Sequence, residues 1–127
     1  GQQANISIVI LSFRYMFKCK DKDGSVVICT KHTWENHIVA EHPEMKGCES
    51  YVKDAIEKPY QIYQDGRNPN RQVIYKPFVL PPPYQLQYLR VVIEYHKSER
   101  ESRKGYTVTA FPCQGQRKGD ILLCIEK

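Results

Sequence analysis

Long hydrophobic runs are missing from this chain: nowhere do about 18 uncharged apolar residues follow one another, so no segment reads as a membrane-spanning helix. The nearest candidate, ISIVILSF at residues 6–13, has no basic residue before it and no A-x-A pattern after it, and Arg14 follows at once. It is expected to be a buried strand rather than the core of a signal peptide. C-x-x-C pairs are also missing. The five cysteines (Cys19, Cys29, Cys48, Cys113 and Cys124) are odd in number and scattered, which argues against a disulfide framework or a zinc ribbon. Free thiols in a reducing cytoplasm are the expectation. There is no H-E-x-x-H, no internal repeat and no low-complexity tract. Acidic residues are outnumbered, 14 to 19, and the resulting charge of +5 favours a polyanionic partner without requiring one.

The 127 residues suit a single domain spanning 1–127. KDKDGS, followed by VVICT, predicts a β-hairpin. The period then changes. Trp34 and Ile38 are four apart, as are His37 and Glu41, and Pro43 ends that helix. A second helix is expected from Pro43 or Glu44 to Lys58, with Met45, Cys48, Val52, Ala55 and Ile56 inward, stopped by Pro59. Strands are expected at 60–64, 71–78, 88–96, 105–113 and 121–127, joined by short polar connections into an antiparallel meander. The predicted class is therefore α+β: two helices from the N-terminal half packed on a twisted antiparallel sheet of four or more strands, preceded by a β-hairpin.

KHTWENHIVAEHPEM, residues 31–45, carries three of the four histidines. On a straight α-helix, residues five apart are rotated by about 140°, so His32, His37 and His42 would leave one another's face, and no shared metal ion is expected. Proton transfer suits them better, because imidazole populates both its forms near neutral pH. Each also has an ordinary explanation: His37 as a hydrogen-bonded helix histidine, His42 as a cation favoured at a helix C-terminus.

Strand parity adds cations and hydroxyls. Arg71, Val73 and Tyr75 share one face and Gln72, Ile74 and Lys76 the other; Arg90, Val92 and Glu94 lie opposite the apolar row Leu89, Val91, Ile93 and Tyr95. Thr107, Thr109 and Phe111 are expected on a common face. Arg90 and Thr109, with Tyr75 or Lys76, beneath a helix bearing His37 or His42, would make a phosphate site. The alternative is that the threonines are simply good strand formers and that Arg90 pairs with Glu94. Arg71 and Thr107 are further candidates for contact with RNA. The nine tyrosines offer base-stacking surfaces or strand-forming residues.

HTWENHIVAEHPEM, AIEKP, QVIYKPF, YLRVVIEY and YTVTAFP, in this order over about residues 30–113, resemble the phage- and toxin-associated branch of the barnase, EndoU, colicin and RelE-like (BECR fold) ribonucleases. The resemblance implies a metal-independent, cytoplasmic endoribonuclease of toxin type, without a cofactor. It would cut RNA by 2′-OH attack, leaving a 2′,3′-cyclic phosphate, and would be neutralised by an antitoxin or immunity protein. Carried over by position, the catalytic set is His37, His42, Arg90 and Thr109, with Tyr75 and Lys76 as a less regular aromatic and basic pair. Phe111 stands where many relatives have tyrosine. The rival readings are a non-catalytic RNA- or protein-binding module on the same fold, or a phage or structural assembly protein.

Overall fold

The computed structural model describes residues 14–125, so the strand expected at 6–13 lies outside it. β1 (Tyr15–Lys20) and β2 (Val26–Thr30) form the expected hairpin. Asp21 Oδ1 closes its turn by accepting the backbone N–H groups of Asp23 and Ser25, each at 2.9 Å. Gly24 supplies the positive φ of 88° that an L side chain would resist.

Helix α1 (31–41) follows β2 without a linker. Thr30 caps it, its Oγ1 accepting the Thr33 N–H at 3.1 Å. The middle of the helix, Trp34–Ile38, is a π turn in which the Val39 N–H reaches back to the Trp34 carbonyl. Pro43 forces His42 out of helical geometry, to φ −132° and ψ 77°. The second helix starts later than expected. Pro43–Met45 is a single 3₁₀ turn, Gly47 breaks the chain at φ +83°, and α2 runs over Glu49–Glu57. Met45, Cys48, Val52, Ala55 and Ile56 are nevertheless all buried, as their spacing predicts.

Five further strands follow: β3 (Gln61–Gln64), β4 (Arg71–Pro77), β5 (Tyr88–His96), β6 (Lys104–Cys113) and β7 (Ile121–Ile125). The expected class is not what forms. The described residues are mostly sheet, one mixed sheet of seven strands in the order β1-β2-β6-β5-β4-β3-β7, with two short helical segments. β3 to β6 make the antiparallel meander, but β2 lies parallel to β6, and β7 returns to the far side of β3. Local pattern specifies each strand but not its neighbour, and here both chain ends extend the meander's edges.

The pairing of β2 with β6 covers only Lys104–Tyr106. Beyond that point helix α1 takes the place of β2 alongside β6. From this edge Trp34 and Ile38 enter the main core with Val91, Ile93 and Ala110, which frees the other side of α1 to overhang the opposite sheet face. That face has its own small apolar cluster of Tyr63, Val73, Tyr75 and Val92. Tyr63 and Tyr88 meet the Tyr75 ring edge-on, so these three tyrosines pack on one another rather than forming an open stacking surface. Burial holds the Tyr63 phenol above the ordinary tyrosine range.

Candidate active site

Two irregularities in the backbone build the site. The first is the π turn. Its extra residue makes five positions close to a full turn, and the His32 and His37 rings meet edge to face with centroids 5.6 Å apart. The expectation that histidines five apart must diverge fails for this reason, since it assumed an unbroken α-helix. His32 faces away from the cleft, its Nδ1 2.9 Å from the Asn36 side-chain amide, while His37, Glu41 and His42 line one wall of an open cleft of about 500 Å³.

The second irregularity is a β-bulge in β6. Val92 pairs with Thr109, and Ile93 with Thr107, so Val108 is the inserted residue. Parity reverses across it. Thr109, opposite Val92, lines the cleft, whereas Thr107, opposite Ile93, is buried at 4% exposure on the helix-covered face. The expected shared face of Thr107, Thr109 and Phe111 is therefore wrong for Thr107, which has no access to RNA.

β4 settles the Tyr75 and Lys76 pair. Lys76 points to the helix side and donates to Asp54 Oδ2 of α2 at 2.8 Å, so it leaves the candidate set. Tyr75 lies on the cleft side of the sheet but is fully buried. Its hydroxyl accepts hydrogen bonds from Arg90 Nε at 3.1 Å and from the Arg117 backbone N–H at 3.2 Å. Tyr75 therefore positions two arginine-bearing segments instead of touching a ligand.

Arg90 is the centre of the arrangement. It is only 4% exposed, yet makes no ion pair with any acid among the described residues. Glu94, the acid that could have neutralised it, is taken by Arg71 at 3.1 Å and by His96 at 3.2 Å. The Arg71 hydrogen bond, with help from His96, holds the Glu94 carboxyl below its ordinary range. A buried guanidinium without a carboxylate is costly, and aromatic faces and the Tyr75 hydroxyl compensate it only in part. Its Cζ lies 5.4 Å from the Phe111 centroid and 6.0 Å from that of Tyr75.

Phe111 is the platform that joins helix to sheet. The His42 ring stacks on it at 4.5 Å, and the Arg117 Cζ stands 5.8 Å from its centroid. His42 Nδ1 faces Glu44 Oε1 at 3.5 Å, which leaves Nε2 for proton exchange. Asp65, also in the cleft, has its Oδ1 occupied by the N–H groups of Arg67 (2.7 Å) and Asn68 (3.2 Å). Those backbone donors hold its carboxyl below the usual aspartate range, and nearby Arg90 and Arg71 add to the effect.

Of the residues expected from sequence, His37, His42, Arg71, Arg90 and Thr109 converge on this cleft, Tyr75 supports it from beneath, and Lys76 and Thr107 stand on the other side of the sheet. Glu41, Asp65 and Arg117 also line the cleft, outside the set of site residues that the sequence suggests. Asp65 and Arg117 sit in loops with no periodic signal. Among the described residues no group of three or more His, Cys, Asp or Glu side chains is placed to hold a metal ion, and no helix is long and apolar enough to cross a membrane. All five cysteines are free. Burial pushes the thiol of Cys19 up to about 11 and that of Cys29 up to about 12, which leaves both protonated and unreactive at neutral pH. Comparison with protein-family models, characterised proteins and solved structures finds no match to this chain.

Proposed function

We propose that the chain is an endoribonuclease of the BECR kind that its motifs resemble, cleaving RNA by internal transesterification. The observation that carries this reading is the convergence of His37 and His42 with Arg90 and Thr109 in one open cleft, across some fifty to seventy residues of sequence. Two imidazoles can supply both proton roles. One removes the 2′-OH proton as that oxygen attacks the adjacent phosphorus, and the other protonates the departing 5′-oxygen. The products are a 2′,3′-cyclic phosphate and a free 5′-hydroxyl. Arg90, held rigid by Tyr75 and Phe111 and in no ion pair among the described residues, is suited to the charge that builds on the phosphorane oxygens, with Arg117 and the Thr109 hydroxyl beside it. A preorganised cation of this kind needs no reorganisation during the reaction. A partner that silences such an enzyme would do so by filling the cleft with acidic groups.

The test is incubation of the purified chain with total RNA in EDTA, beside His42→Ala and Arg90→Ala variants. Cutting by the parent that both substitutions abolish is expected. No cutting, or equal cutting by all three, removes the proposal in favour of a binding module.

A further inference from the structure

The cleft does not end at Arg90. A second cavity of about 490 Å³ adjoins it between the loops at 65–70 and 114–120, and the two share Asp65, Arg71, Arg90 and Arg117. Arg67 and Lys118 belong to the second cavity alone, bringing its cations to five, of which Arg71 is paired with Glu94, against the carboxylates of Asp65 and Asp120. Arg67, Arg117 and Lys118 make no ion pair among the described residues. The Asp65 carboxylate is already engaged by backbone N–H groups.

The two loops are clasped together rather than loosely apposed. The Gly66 N–H donates to Asp120 Oδ1 at 3.3 Å, and a Cβ at Gly66 would overlap the Gly119 carbonyl. Gly119 itself takes φ +97°. The Arg117 backbone is pinned to the Tyr75 hydroxyl that also holds Arg90. One buried tyrosine thus fixes the position of both cavities relative to each other.

We propose that this second pocket takes the backbone phosphate of the neighbouring nucleotide, so that the substrate is a single RNA strand gripped at two consecutive phosphates. The choice of RNA rests on the ribonuclease reading above; the surplus of cations over carboxylates stands without it. A single strand is required because 2′-OH attack in line with the departing oxygen needs a backbone free to leave the A-form. Phosphate contacts of this kind position the strand without reading its bases.

The test measures binding of an equimolar mixture of every 2′-O-methyl dinucleotide sequence, which lacks the attacking hydroxyl. The mixture is compared with and without a terminal phosphate at the 5′ or the 3′ end. The parent is set beside Arg67→Ala/Lys118→Ala and beside Lys97→Ala/Arg100→Ala, which removes as much charge from the β5–β6 loop. A terminal phosphate at one end is expected to tighten Kd about tenfold in the parent and in the β5–β6 control, and to steepen the salt dependence of log Kd by about 0.7. Both gains should vanish in Arg67→Ala/Lys118→Ala. The proposal is overturned if neither terminal phosphate adds affinity, if the gain survives in that variant, or if the control loses it equally. Unmodified dinucleotides report separately on cleavage: an intact phosphate gain without turnover removes the ribonuclease reading and leaves the pocket standing.

Discussion

The His42 ring lies on the Phe111 ring, centroids 4.5 Å apart and planes 23° apart, and this contact holds the end of α1 against the sheet that carries Arg90. Removing the platform should disorder the imidazole without removing it. Phe111→Leu is therefore expected to lower kcat for RNA about tenfold, the kinetic equivalent of an aromatic pair of about 1.4 kcal/mol, with KM little changed. Phe111→Tyr should keep the stack and most of the rate. Steady-state kinetics on a short fluorogenic RNA separates the two.

Arg90 should show a conflict between stability and activity. A buried guanidinium that no carboxylate neutralises is a poor contributor to folding, and an apolar side chain of similar length removes its desolvation cost. Arg90→Met is expected to raise Tm by roughly 3–5 °C, about 1 kcal/mol, while lowering single-turnover cleavage by about 10²–10³. Calorimetry and quench-flow on the same preparation test both halves. A marked fall in Tm would show that Arg90 is structural.

Asp65 ties part of stability to pH. Its carboxyl is held below its unfolded value by backbone donors, so the stabilisation is complete above the ordinary aspartate pKa of about 3.9 and is lost as pH falls through the lower, folded value. The stability gap between the parent and Asp65→Ala should be constant near neutrality and should shrink below about pH 4. Urea unfolding across that range measures it; a gap that widens in acid would contradict the assignment.

Gly105 is a packing constraint. A Cβ there would stand 2.8 Å from Ile93 Cγ2 and 2.9 Å from Tyr95 Cε1, where β6 crosses the core. Gly105→Ala is expected to cost about 1–3 kcal/mol by overpacking, read as a lower urea midpoint at unchanged slope.

How much of this was legible in the sequence depends on whether the deciding feature was local. The stop at Pro43, the four-residue spacing of Trp34 and Ile38 and the apolar row of β5 follow from side-chain type and period, and they place Arg90 and the histidine helix correctly. Sheet order does not follow, because β2 and β7 find partners set by the whole chain. WENHI has no composition that separates a π turn from an α turn, and YTVTAF reads as plain alternation although Val108 is a bulge. The first insertion brings the His32 and His37 rings together, and the second decides which threonine reaches the cleft. Parity separated Tyr75 from Lys76, but only the position of α2, with Asp54 awaiting Lys76, shows which face is covered.

The most direct measurement of the central claim is the chemistry of the cut ends, read by mass spectrometry on a short RNA of defined sequence and on the same strand with 2′-deoxyribose at the cleaved position. The account predicts a 2′,3′-cyclic phosphate and a 5′-hydroxyl from the first, and no cleavage at that position in the second. Equal cutting of the deoxy strand, or 5′-phosphate ends, would contradict it.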